Sequence, residues 1–139
     1  MSFYTFGIYA LVIIPYNMIG YFVMLLMPRK LAPYVIIFTT GGLLTIENYY
    51  EMLTEDTTFN VSVLMMINFC KQWMLALNYR DGAGDLDGWL NSRERLRAIK
   101  SLPSLVDYVN YMFNLSSSVC GPCFEYKEWD QFINLQGNY

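Results

Sequence analysis

Seven residues, Cys120-Gly121-Pro122-Cys123-Phe124-Glu125-Tyr126, can be read as two different pieces of chemistry. As Cys-x-x-Cys, Cys120 and Cys123 form a dithiol suited to thiol–disulfide exchange, in which a lowered thiol pKa makes one cysteine a nucleophile. Such a site sits at a helix start that follows a strand of a mixed sheet, so that the helix N-terminus favours the thiolate. An apolar helical stretch precedes this pair, and too few residues follow Cys123 to supply such a sheet. The two cysteines then read as small apolar residues. As Gly-Pro-x-Phe-Glu-Tyr, the stretch is a turn whose meaning depends on the rest of the chain.

Other chemistry-bearing residues are sparse. There is no histidine. The commonest general base and the commonest metal ligand are therefore missing, and neither a catalytic residue nor a metal site is expected. The acids of Asp81-Gly82-Ala83-Gly84-Asp85-Leu86-Asp87-Gly88 suggest a calcium loop, but the closing bidentate glutamate and flanking helices of that motif are lacking. A polar turn fits better. Lys71 stands inside an apolar run, where an ammonium costs about 2.5–3.5 kcal/mol to insert in a bilayer. Either it faces a polar cavity or an acid such as Glu47, or it snorkels from a shallow helix.

The elements that must hold these residues are membrane-seeking. Of the 139 residues, 55% are hydrophobic and 15% charged, against a usual charged content of about 25%. The net charge of −3 and scattered bases argue against nucleic acid as a partner. Three cysteines are too few for a disulfide-stapled fold. Residues 3–27 carry no charge and are long enough to cross a bilayer, and Pro28-Arg29-Lys30 closes the run. A basic n-region is missing, so a signal peptide fits less well.

A second apolar run, about 33–47, holds Gly41-Gly42, which would let another helix approach closely. Glu47, Glu51, Glu55 and Asp56 follow, then the glycosylation-type triplet Asn60-Val61-Ser62. A third run covers about 61–78 and a fourth about 103–119, where Leu105, Tyr108, Met112 and Leu115 recur at helical spacing with a polar face opposite. Trp89 to Lys100 suits a short basic helix on an anionic membrane surface, and residues 124–135 an amphipathic interfacial helix. Basic residues follow the first and third runs and acids follow the second, so the loops alternate sides with the basic ones cytosolic. The fold class expected is all-α: multi-pass helices plus an interfacial helix, in one unit over 1–139.

In order, the chain has Pro28-Arg29-Lys30, a Lys71-bearing run into Arg80-Asp81-Gly82, a helix into Gly121-Pro122, and Phe124-Glu125-Tyr126 opening an amphipathic helix. That succession resembles the membrane-bound O-acyltransferase family, most closely its lysophospholipid acyltransferase branch, from about Tyr21 onward. Cys123 stands where serine is usual in that family, and Arg80 where histidine is common. The resemblance implies a multi-pass membrane enzyme of the endoplasmic reticulum that moves an acyl chain from acyl-CoA, its co-substrate, to a lysophospholipid hydroxyl. It implies no other cofactor, and membrane lipid as a partner. Lys71, Asp81, Gly82, Gly121, Pro122, Phe124, Glu125 and Tyr126 become candidates for the walls of the substrate chamber, with helix capping and interface packing as the alternative for each. The family's catalytic histidine and asparagine lie downstream of its Phe-Glu-Tyr segment, so the chain is expected to be an amino-terminal portion, inactive alone. Two other readings stay open: a small membrane protein that binds or braces a partner, and a membrane thiol oxidoreductase using Cys120 and Cys123.

Overall fold

The computed structural model describes residues 2–54, 61–84, 88, 90–114 and 125–135, with only the backbone of 2–10, 61 and 62. Among these residues the chain is all-helical, with no strand. The helices are α1 (Ser2–Leu26), α2 (Ala32–Thr54), α3 (Val61–Asp81), α4 (Ser92–Arg97), α5 (Leu105–Met112) and α6 (Tyr126–Ile133).

Local chemistry explains most boundaries. Pro28 cannot extend α1, and its carbonyl instead accepts from the amides of Leu31 and Ala32 at 2.9 and 3.1 Å, which turns the chain into α2. Pro33 lies in the first turn of α2, where its missing N–H costs nothing. α2 continues through Glu47 and Glu51 to Thr54, beyond the boundary near 47 suggested by hydropathy. Charge ends an apolar run, but glutamate is a good helix former and no breaker intervenes.

α4 begins with a capping box, in which the Asn91 amide donates to Glu94 Oε2 at 2.8 Å. The cap of α5 is Ser104, whose Oγ accepts from the Asp107 amide at 3.3 Å. α5 stops at Met112, short of the 103–119 expected, and residues 115–124 lie outside the described residues. Its buried face is Tyr108, Tyr111 and Met112, whereas Leu105 is exposed. Of the expected face, Tyr108 and Met112 are buried, Leu105 is not, and Tyr111 takes a place in the core that the spacing did not give it.

α1, α2 and α3 form the main bundle, with α5 against α1 and α3 and α4 against the end of α3. The core gathers Met24, Ile36, Leu75, Ala76, Tyr108, Tyr111, Met112, Tyr126 and Trp129. The paired glycines divide their roles: a side chain on Gly41 would press on the Phe69 ring at 3.3 Å, while Gly42 faces open space. Gly20 of α1 is a closer approach still, since a Cβ there would collide with the Gln72 amide of α3.

Polarity is inverted relative to a water-soluble bundle. Asn17, Thr40, Lys71 and Gln72 are fully buried, whereas Leu11, Phe22, Leu26, Phe38, Ile46 and Met66 are exposed. Among the described residues, no helix is long and apolar enough to cross a membrane. The polar residues that face the interior of α3, and Glu47, Asn48 and Glu51 in the second half of α2, lower the mean hydropathy of those helices.

Candidate functional site

The five described candidates fall into two groups. The first surrounds Lys71, which is fully buried on α3. Its Nζ donates to the carbonyls of Met112 at 3.1 Å and Tyr111 at 3.4 Å, and lies 5.6 Å from the centroid of the Tyr111 ring. These carbonyls close α5, and that of Tyr111 also accepts from the Asn114 amide at 3.5 Å. An ammonium at this end also meets the negative pole of the helix dipole. These two hydrogen bonds of Lys71 run to a helix end.

Tyr111 carries this group onward. Its ring meets Tyr126 edge-on at 5.4 Å and Trp129 at 5.8 Å, so α6 is seated on the same aromatic cluster that covers the lysine. Tyr126 and Trp129 are each 8% exposed, whereas Phe132 and Ile133 of the same helix are exposed. Burial pushes the Tyr126 phenol up to about 12, with Asp130 and then Asp107 adding to the effect.

Glu125 precedes α6 and is buried, with Oε1 accepting from Arg97 Nε at 2.7 Å. Its carboxyl is nevertheless held above its ordinary value. Removal from water outweighs the attraction of Arg97, and Glu128 pushes the same way.

The second group lies at the end of α3, roughly 15 Å from Lys71 at about 1.5 Å of rise per helical residue. Asp81 is buried and accepts from Arg80 Nε at 3.1 Å and Nη2 at 3.0 Å. A side chain on Gly82 would collide with the Ile99 backbone carbonyl. The Gly82 and Ile99 amides share one acceptor, the Asn78 carbonyl, at 3.2 and 2.9 Å. Arg29 closes the corner: its guanidinium lies 4.6 Å from the Tyr79 ring centroid, and Nη1 donates to the Gly82 carbonyl at 3.5 Å. The end of α4 and the segment after it join the two groups, since Arg97 holds Glu125 and Ile99 lies on Gly82.

Gly121, Pro122 and Phe124 lie outside the described residues, as do Cys120, Cys123, Asn60, Asp85, Asp87 and Trp89.

Hydropathy alone missed a buried amide seam. Gln72 Nε2 donates to Asn17 Oδ1 at 2.8 Å, and the Tyr108 hydroxyl donates to the Asn17 carbonyl at 2.9 Å. Asn17 Nδ2, Gln72 Oε1, Asn68 Oδ1 and Asn78 Nδ2 are buried without a hydrogen-bond partner among the described residues. The available signal was a polar residue, Asn17, inside an otherwise apolar run.

Chemically, this arrangement positions groups. Both candidate carboxylates are engaged by arginine, and Lys71 is a donor held against carbonyls. Ser104 Oγ donates to Asp107 Oδ2 at 2.6 Å, but that exposed pair is the cap of α5. No group of three histidine, cysteine, aspartate or glutamate side chains able to hold a metal occurs among the described residues.

No family model matches the chain, and no solved structure does. Curated relatives do. The chain is 34% identical over 85 residues to mouse membrane-bound glycerophospholipid O-acyltransferase 1, covering 61% of this chain and 16% of the relative. It is 29% identical over 136 residues to human membrane-bound glycerophospholipid O-acyltransferase 2, covering 96% of this chain and 26% of the relative. The Saccharomyces cerevisiae lysophospholipid acyltransferase is 26% identical over 96% of this chain and 23% of its own length. The chain thus spans about a quarter or less of the length of these relatives. Mammalian and yeast proteins both match, and the chain is thus a homologue of part of a membrane-bound glycerophospholipid or lysophospholipid acyltransferase.

Proposed function

We propose that these residues form part of a multi-pass membrane enzyme that transfers an acyl chain from acyl-CoA to the free hydroxyl of a lysophospholipid. The observation that carries this reading is similarity along nearly the whole chain to lysophospholipid acyltransferases of animals and yeast. The inverted polarity of the bundle supports lipid surroundings: large apolar side chains face outward while amides and an ammonium face inward. A location in the endoplasmic reticulum accompanies this proposal.

In the reaction, the hydroxyl oxygen attacks the thioester carbon, the C–S bond breaks, and the hydroxyl proton passes through a base to the departing thiolate. This chain has no histidine to act as that base. Its own contribution is to shape and hold the chamber. Lys71 fixes the end of α5, Tyr126 seats α6 against Tyr111, and Gly82 lets the backbone at Ile99 approach α3. With Asp81 and Glu125, these residues brace the path of the lipid and acyl-CoA.

The test is to purify the native polypeptide that carries these residues from membranes and assay it with radiolabelled acyl-CoA and a panel of lysophospholipids. Labelled diacyl product with equimolar release of free CoA thiol is the expected result. A protein that remains folded and yields no product with any lysophospholipid overturns the assignment. Release from membranes by alkaline carbonate overturns the multi-pass reading separately.

A further inference from the structure

α2 is packed along only part of its length. Ala32, Pro33, Ile36 and Thr40 are buried at helical spacing along one stripe, and no residue of α2 beyond Thr40 is buried. The same stripe runs on through Leu44, Glu47 and Glu51. Leu44 is half-buried against the cluster of Ile13, Tyr16 and Met65, whereas the two carboxylates that follow cannot anchor a helix by apolar packing. The large apolar side chains of this second half, Ile46, Tyr49, Tyr50, Met52 and Leu53, are exposed.

Three features weaken the helix where its packing ends. The Oγ1 atoms of Thr39 and Thr40 donate to the carbonyls of Val35 and Ile36, both at 2.7 Å, and such back-bonding bends helices. The Tyr16 hydroxyl donates at 3.1 Å to the Thr40 carbonyl, which helical geometry assigns to the Leu44 amide. A side chain inserted into that ladder is a cause of kinks. Gly41 and Gly42 come next, each costing about 1 kcal/mol of helix propensity relative to alanine. Phe69 limits the space at Gly41, but Gly42 faces open space, so close packing does not explain the second glycine. We propose that α2 is hinged at residues 39–42 and that residues 43–54 form an arm, whose swing lifts Leu44 off the cluster of Ile13, Tyr16 and Met65 and opens a side entrance between α1 and α3. At about 1.5 Å per residue the arm is roughly 18 Å long, so a bend of about 20° carries its tip about 6 Å. The hinge does not depend on the acyl-transfer reading above.

Two nitroxide pairs test the arm on the full chain in nanodiscs, or in buffer if it stays monodisperse there. Each label is attached to p-acetylphenylalanine, which leaves the native cysteines in place. One pair, at Met52 and Met66, joins the arm to α3, and the other, at Phe38 and Met66, joins the packed half of α2 to the same point; all three positions are exposed. Double electron–electron resonance should show distances for the Met52 pair spread or divided by about 6 Å more than those for the Phe38 pair. Gly42→Ala, which adds a methyl group where no atom stands within 4 Å, should narrow the Met52 distribution about twofold, to the width of the Phe38 control. Thr39→Val removes one back-bond at nearly constant shape and should narrow it in the same direction, which keeps the hinge testable if Gly42→Ala does not fold. Equal widths for the two pairs in the wild-type chain overturn the proposal. A broad Met52 distribution that neither substitution narrows overturns it as well, because the motion is then fraying from Thr54 and not bending at residues 39–42. Either outcome leaves the acyl-transfer reading to its own assay.

Discussion

Single residues in this chain are constrained most where a side chain meets backbone. Lys71 supplies a donor to two carbonyls at the end of α5; that of Tyr111 also accepts from the Asn114 amide, so the loss in Lys71→Met falls on the Met112 carbonyl. An orphaned buried polar group costs about 1–3 kcal/mol. Thermal unfolding in detergent should show a loss of that order, and an unchanged midpoint would mean that water or a relaxed helix end replaces the ammonium. At Gly82 the neighbour is the Ile99 backbone, which has no rotamer to yield. Gly82→Ala should therefore destabilise by about 1–3 kcal/mol, as overpacking does, and should speed hydrogen exchange at the Ile99 amide. Neither partner was legible in the sequence. Hydropathy marked Lys71 as anomalous, but its acceptors are main-chain carbonyls, which every residue carries. Gly82 looked like an ordinary turn glycine because the atom it accommodates lies 17 positions further along the chain.

At the scale of elements, α6 is attached by an aromatic cluster and one ion pair, and the ion pair has a definite pH signature. Glu125 has its carboxyl pKa raised in the folded chain, so the folded state holds that proton more tightly than the unfolded one. The resulting stability is complete below the unfolded value and is lost as pH rises through the folded one. Glu125→Gln, which mimics the protonated form, should raise the unfolding midpoint at neutral pH, and the gain should shrink towards nothing in acid. In an Arg97→Ala background the neutral-pH gain should grow. The increment should not exceed about 1 kcal/mol, because the Arg97 side chain is 48% exposed and solvent screens it. Melting curves for the four chains across acid and neutral pH would decide this, and a gain in the wild-type background that is independent of pH would contradict the sign. The helices themselves were readable: α1 from its uncharged run, α4 and α6 from basic and aromatic spacing. Their ends were not, because a cap, a proline carbonyl or a donated ammonium decides where a helix stops.

For the molecule as a whole, the informative fact is where its large apolar side chains lie. Phe38 is 81% exposed on α2. On a water-facing surface Phe38→Lys would change stability by no more than about 0.5 kcal/mol. Facing the middle of a bilayer, it would cost about 2.5–3.5 kcal/mol on insertion scales. Quantifying membrane insertion of wild-type and variant chains by carbonate extraction therefore separates the two environments, and equal insertion would argue against lipid at α2.

The hydrogen bond of longest range among the described residues has a consequence for how the bundle is completed during synthesis. The Tyr108 hydroxyl reaches back 91 positions to the Asn17 carbonyl, and the Tyr21 hydroxyl reaches the Pro103 carbonyl at 3.2 Å. A nascent chain must therefore emerge past residue 108 before α1 acquires its tyrosine lid. Until then the face of α1 beside the Asn17–Gln72 pair lacks the Tyr108 side chain and stays open to a chaperone or an ill-matched helix. A ribosome stalled short of Tyr108 should thus display α1 in a protease-sensitive state, and one stalled well beyond it should not.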